Sequence, residues 1–273
     1  MCTVVILYRP GHAWPVILGA NRDEMADRPW LPPGRHWPDR PDVVAGLDEL
    51  AGGSWLGLND HGVVAGVLNR IGSLGPQAGK RSRGELVLEA LEHAEAQAAA
   101  AALGDLNAGA YRSFNLVVAD AEQAFWLRNR GAEQEPGRVE VFDLPPGLSM
   151  ITAHDRNDQK SPRIFANLHR FEEAAAPDPD RGDWAAWQAL LASRELPQGT
   201  APAPASATVS PTAPWAAMTV VTEEGFGTTS SSLIALPAPA QITAQGLRAP
   251  PRRPVWLFAP GRPDLEDYQP VAL

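Results

Sequence analysis

Two short apolar runs at the head of the chain constrain its fold more than any other feature. Thr3-Val4-Val5-Ile6-Leu7-Tyr8 and Val16-Ile17-Leu18-Gly19-Ala20 each read as a β-strand, and Pro10-Gly11-His12 between them supplies a turn. Paired as a hairpin, they bring Asn21-Arg22-Asp23-Glu24, which follows the second run, back beside the start of the first, where Cys2 stands. Four consecutive polar residues, two of them acids and one a guanidinium, need partners if a strand end is to bury them. The alternative for this quartet is a solvated turn. Cys2 is the only cysteine among 273 residues. Removal of Met1 would give it a free α-amine beside the thiol, and an amine of pKa about 7.7–8.0 can take the thiol proton. Asp23 would then orient the amine, and Arg22 would hold an anionic group or set the surroundings of the sulfur. The alternative for Cys2 is a small buried hydrophobe.

Further β-type runs fall at Ser54–Leu58, Val63–Leu68, Phe114–Ala119, Ala124–Arg128, Val139–Phe142, Met218–Val221, Ser232–Leu236 and Val255–Phe258. Two helices are expected. The first follows the capping-box pattern Ser82-Arg83-Gly84-Glu85, with Leu86, Val87, Ala90, Leu91 and Ala94 at helical spacing. The second starts near Asp183 and carries Trp184, Trp187, Leu190 and Leu191 on one face, where the tryptophans read as core. Strands, helix, strands, helix and strands in that order indicate an α+β layered fold. Residues 1–273 read as one domain, with a proline- and alanine-rich surface loop at 197–214. Trp30–Pro41 also reads as a loop, placed to wall a pocket. Trp55, between Gly53 and Gly57, either lines a cavity floor or is ordinary core. His61 falls in a hairpin turn, and His154 is either a pocket group or a hydrogen-bonded loop residue.

Composition excludes several classes of function. The formal net charge of −9 argues against nucleic acid as a partner. No apolar run reaches the roughly 18–20 residues of a membrane span, and no basic leader precedes the first strand, which points to the cytoplasm. One cysteine and scattered histidines offer no metal-ligand spacing, and no phosphate-cradling loop is present.

Cys2, Asn-Arg-Asp-Glu at 21–24 and Arg28-Pro29 are followed in order by Gly52-Gly53-Ser54-Trp55-Leu56-Gly57, Asn69 and Arg83-Gly84-Glu85-Leu86-Val87. Phe114-Asn115-Leu116, Asn129-Arg130-Gly131 and Gly225-Phe226-Gly227-Thr228 complete the series. This series resembles the NRDE, or transport-and-Golgi-organisation-two, family over nearly the whole chain. That family in turn resembles the N-terminal-nucleophile hydrolases, including cysteine amidases of bile acid conjugates and penicillins. The resemblance implies a four-layer αββα sandwich with Cys2 as nucleophile, Arg22 and Asp23 around it, and Asn69 as an oxyanion-binding group. It also implies a ligand pocket drawing on Cys2, Asn21, Arg22, Trp55, Asn115 and His154. Two positions depart from the pattern: Met150 replaces an asparagine after Gly-Leu-Ser, and Thr229 replaces an arginine after Gly-Thr. A missing oxyanion donor typically costs about two to three orders of magnitude in rate. The resemblance therefore puts an intracellular carrier of an amphipathic ligand, haem first, ahead of hydrolysis of a small acylated amide. No cofactor is required, and haem is the ligand implied. A third implication is a non-catalytic scaffold in membrane or lipid homeostasis.

Overall fold

In a computed structural model, residues 2–131, 137–196, 215–239 and 251–273 are described. The head of the chain forms the expected hairpin, β1 (Thr3–Tyr8) with β2 (Val16–Met25), in register so that Thr3 faces Asn21. This hairpin is the centre of a six-stranded antiparallel sheet. β10 (Gly147–Ile151) pairs with the free edge of β1, and β11 (Phe226–Leu236) with that of β2. Beyond β11 lie β12 (Val255–Ala259) and the short β13 (Gln269–Pro270). A second, seven-stranded sheet runs in chain order from β3 (Trp30–Gly34) through β4 (Val43–Asp48), β5 (Leu56–Asn59) and β6 (Val64–Asn69). It continues through β7 (Phe114–Ala119), β8 (Ala124–Asn129) and β9 (Val139–Asp143).

Strand alternation gives each sheet two apolar faces, and both are covered. Between the sheets lies a core that includes Ile6, Leu18, Leu56, Leu68, Val117 and Trp126. On the far side of the seven-stranded sheet, α1 (Gly84–Ala90) and the alanine-rich α2 (Ala96–Gly104) pack over Val43, Ala65, Leu116 and Leu127. On the far side of the other sheet, α3 (Pro162–Glu173) and α4 (Ala185–Leu191) cover Val5, Ile17, Met150 and Leu233. The layers run α, β, β, α, the sandwich that the resemblance implies. Trp184 and Trp187 are core residues in the α3–α4 layer.

Three local expectations are corrected. Trp30–Gly34 is an edge strand rather than loop; Pro32 and Pro33 are tolerated because they fall where the pairing of β3 with β4 breaks register, between Leu31 and Gly34. Met218–Val221 is not a strand. Only a single bridge, Val221 opposite Gly227, remains there: the Thr228 N–H donates to the Val220 carbonyl at 2.9 Å, and the Thr228 hydroxyl accepts from the Val220 amide at 2.9 Å, so a side chain supplies one of the bonds a ladder would make. The capping box at Ser82 does not form in the expected way: α1 starts after Arg83, and Ser82 Oγ accepts from the Gly84 amide at 3.2 Å. The stretch 197–214 lies outside the described residues.

The glycine motifs mark close backbone approaches. A Cβ on Gly53 would sit 2.5 Å from the Gly84 carbonyl carbon, where the Ser54 amide donates to the Gly84 carbonyl at 3.1 Å. The loop before Trp55 is thus pressed onto the start of α1, and both glycine strings serve one contact. Gly53→Ala should lower stability by about 1–3 kcal/mol in urea denaturation, the usual cost of forced overpacking.

Candidate functional site

The polar quartet at the end of β2 obeys the same alternation as the apolar residues before it. Asn21 and Asp23 face the helical layer; Arg22 faces the space between the sheets. A bulge in β11 lies opposite: Arg22 pairs with Ser230 and Asp23 with Thr228, leaving Thr229 as the extra residue.

Asp23 is fully buried and held by charge. Its Oδ2 accepts from Arg163 Nη1 at 2.8 Å, and its Oδ1 accepts from the Thr228 hydroxyl at 2.7 Å. Arg163, in the first turn of α3, also donates to Thr3 Oγ1 at 2.6 Å and is itself buried. Burial alone would raise the Asp23 carboxyl, but the guanidinium and the two hydrogen bonds hold it below the ordinary carboxylate range. Gly227 makes this geometry feasible, since a Cβ there would lie 2.6 Å from the Val220 carbonyl oxygen. Sequence reading missed Arg163. The signal was present in Ser161-Pro162, since Ser161 Oγ accepts from the Ile164 amide and proline opens the helix.

Cys2 sits just ahead of β1, partly exposed, with its side chain packed on the inter-sheet core. Its thiol donates to the Asp23 carbonyl at 3.6 Å. Burial pushes the thiol pKa up, so the resting sulfur is protonated near neutral pH. Beside it Arg22 donates to Thr229 Oγ1 at 3.1 Å and lies 4.4 Å from the centroid of Trp55. Gly46 lets the indole lie flat against β4, since a Cβ there would be 2.3 Å from the ring. Arg28, at 2.8 Å, takes the Asp48 carboxylate that Arg22 approaches only to 3.8 Å. Between Cys2, Arg22, Trp55, Leu68 and Ser230 remains a gap of about 20 Å³, room for one water-sized group.

The structure thus brings together Cys2, Arg22, Asp23 and Trp55. It gives other residues different tasks. Asn21 donates to the Leu191 and Met218 carbonyls, both at 3.0 Å, and so anchors α4. Asn115 is fully engaged: it donates to the Thr152 and His154 carbonyls at 2.8 Å and accepts from Arg70 and Trp126. His154 lies 3.6 Å from Asp158, and burial lowers its pKa against the pull of that carboxylate. Asn69 ends β6 half-buried, with the parity of Ala65 and Val67, which pack on the helical side, whereas Leu68 packs between the sheets. Met150 pairs with Val5 and shares its helix-facing core, so its side chain points away from Cys2. Among the described residues no group of histidine, cysteine, aspartate and glutamate side chains is arranged to hold a metal, and no helix is long and apolar enough to cross a membrane.

The sequence profile of the family described as Transport and Golgi organisation 2 matches residues 1–244. A Transport and Golgi organization protein 2 homolog from Bos taurus is 33% identical over 150 residues, 50% of this chain and 52% of that one. Its Homo sapiens counterpart is 31% identical over 163 residues, 55% and 56% of the two chains. The chain spans about half the length of the curated relatives it matches. Among solved structures, the Caenorhabditis elegans N-acylethanolamine-hydrolyzing acid amidase ortholog superposes with a TM-score of 0.53 at 13% identity, over 85% of this chain and 92% of that one. The shared fold is that of the N-terminal-nucleophile hydrolases. A conjugated bile acid hydrolase from Clostridium perfringens covers 100% of this chain and 97% of its own, with a TM-score of 0.48 and 11% identity.

Removing Arg163 strands a buried carboxylate. Arg163→Met should cost about 3–5 kcal/mol, and Asp23→Asn in the same background should recover part of it, read by urea denaturation. The depressed Asp23 pKa also sets a pH window. Its stabilisation is present above the unfolded-state value of about 3.9 and is lost as pH falls through the folded value, so Asp23→Asn should flatten the acid limb of the stability profile.

Proposed function

Because the chain belongs to the Transport and Golgi organisation 2 family and carries its Cys2 and Asn-Arg-Asp-Glu series, we propose that it hydrolyses a small acylated amide, with Cys2 as nucleophile. The observation that carries this reading is the placement of Cys2: at the head of a central strand, beside Arg22, with its thiol on the backbone carbonyl of Asp23. The thiol is protonated at rest, so attack needs a base. Once Met1 is removed, the α-amine of Cys2 is the nearest such base in the chain's own covalent structure. Sulfur adds to the acyl carbon, the C–N bond breaks, and the amine leaves with the thiol proton. Water then cleaves the thioester, releasing the acid and restoring the thiol. The amidase named above acts on N-acylethanolamines, which makes N-acyl amides the first substrates to try.

A second reading, carriage of an amphipathic ligand such as haem, has one observation in its favour. Trp30, Trp55 and Phe258 form an edge-to-face aromatic cluster on the rim of the inter-sheet space, with ring centroids 5.8 and 5.9 Å apart. A thiolate is a known type of haem ligand, but small-molecule sites typically occupy about 300–1,000 Å³. The gap at Cys2, about 20 Å³, holds neither haem nor an N-acyl amide as it stands; either ligand requires the lining side chains to move, and the bulkier haem requires more.

Two experiments test these readings. Protein whose Met1 is removed should release acid and amine from a panel of N-acyl amides, and Cys2→Ala should lower the rate at least a hundredfold; turnover that survives Cys2→Ala rules out this chemistry. Titration with haem should give no absorbance band that depends on Cys2. A band abolished by Cys2→Ala would favour carriage instead.

A further inference from the structure

The connection between β6 and α1 carries charge of the sign opposite to that of the chain as a whole. Net charge is −9, yet from His61 to Gly84 no aspartate or glutamate occurs, whereas Arg70, Lys80, Arg81 and Arg83 do. Arg70 and Arg81 are matched by Asp155 and Glu85, at 2.8 and 2.6 Å. Lys80 and Arg83, together with Arg112 just ahead of β7, make no ion pair among the described residues. Each donates to neutral oxygens instead: Lys80 to the Gly109 carbonyl, Arg83 to Ser73 and Ser113, Arg112 to carbonyls of the loop itself. Burial and the neighbouring Arg112 lower the Arg83 guanidinium to about 10, so it stays charged at neutral pH.

Two apolar side chains stand out from this loop into solvent. Ile71 is 59% exposed and Leu74 49%, and neither lines the gap at Cys2. The backbone that carries them is braced. Arg112 Nη2 donates to the Gly72 carbonyl at 2.7 Å and its Nη1 to the Gly75 carbonyl at 3.1 Å, on either side of Leu74. Buried Ser73 accepts from Arg83 at 2.9 Å and donates to the Ser113 carbonyl at 2.9 Å. Gly72 and Gly75, with φ of 72 and 76°, make the turns that leave the two side chains outside. Two of the three unmatched cations are thus the ones that brace the loop, which places their charge beside the apolar pair.

We infer that this loop docks the protein on a bilayer whose surface carries anionic headgroups. Ile71 and Leu74 enter between the headgroups, and Lys80, Arg83 and Arg112 lie at the level of the lipid phosphates. Apolar side chains that line no cavity suit a fluid apolar layer, which needs no matching shape, and the cations select the sign of its surface. An unmatched cation near such a surface contributes about fivefold in affinity, and a half-exposed apolar side chain a factor of the same order. Binding is therefore weak, reversible and dependent on both signals. The loop starts two residues after Leu68, which lines the gap at Cys2, so docking brings that side of the molecule to the bilayer. Delivery of an N-acyl amide from the bilayer to Cys2 rests on the reading proposed above; the docking itself does not.

Co-sedimentation of the full chain with vesicles tests it, phosphatidylcholine alone against phosphatidylcholine mixed with phosphatidylglycerol. The protein should sediment with the mixed vesicles and hardly at all with phosphatidylcholine, and the bound fraction should fall as salt is raised. Replacing both tips, Ile71→Ser with Leu74→Ser, should weaken binding about tenfold to a hundredfold and leave the melting temperature unchanged, since both side chains are exposed. Leu265→Ser, which removes a 71% exposed leucine outside the loop, should have no effect. The comparison of vesicles on the unaltered chain stands without any variant, and amide turnover enters none of these assays, so a failure of the chemistry at Cys2 leaves their result intact. Absence of binding to the mixed vesicles, equal binding to phosphatidylcholine alone, unchanged binding by the folded double variant or an equal loss in Leu265→Ser would overturn the inference. A solution dimer that the double variant splits would place a second copy of the chain on this loop and overturn it as well.

Discussion

The buried carboxylate of Asp23 is the constraint on which the site depends. A carboxylate with no exposure to water is tenable only with a charge partner and good hydrogen bonds. Arg163 reaches it from α3 and Thr228 from β11, so one side chain ties a helix and two neighbouring strands of one sheet together. The Arg163 bond to Thr3 extends the tie to β1, directly beside Cys2. Fixing Asp23 also fixes its backbone carbonyl, which receives the thiol of Cys2.

Alternation along β2 divides the work of the quartet. Asn21 and Asp23 bind the helical layer and hold the strand in place; Arg22, on the opposite face, is left to the inter-sheet space and to Trp55. The β11 bulge matters here because it sets Thr229 against Arg22 while Thr228 keeps its bond to Asp23. A one-residue slip of β2 would exchange the two faces, placing Arg22 against the helices and Asn21 and Asp23 beside the sulfur. Such a slip is opposed by Gly19, where a Cβ would lie 3.2 Å from Trp187, a position that admits little besides glycine without movement of α4.

Much of this was legible in the residues themselves. The opening hairpin, the place of Cys2 and most strands followed from apolar runs and turn residues. The roles within the site were less legible, because they depend on which face a residue takes and on partners distant in the chain. Asn115 reads as a ligand group by type, yet two hydrogen bonds commit it to bracing the loop that holds His154 and two more are accepted from Arg70 and Trp126. Met150 stands at a position that sequence pattern suggests is part of the site, and pairing with Val5 turns it toward the helices. Ser161-Pro162 marks the start of the helix that carries Arg163, but nothing local names its partner, which lies 140 residues away. The helix α2 was missed because its run of alanines has no apolar and polar period to read.

The claim that Cys2 is a positioned nucleophile is tested most directly by intact mass. Met1-processed protein mixed with an activated acyl ester should gain one acyl group, mapped to Cys2 by peptide analysis and removed by hydroxylamine as expected of a thioester. Asp23→Asn should slow its formation without abolishing it. An unmodified protein, or an acyl group found elsewhere while Cys2 stays free, would contradict the account.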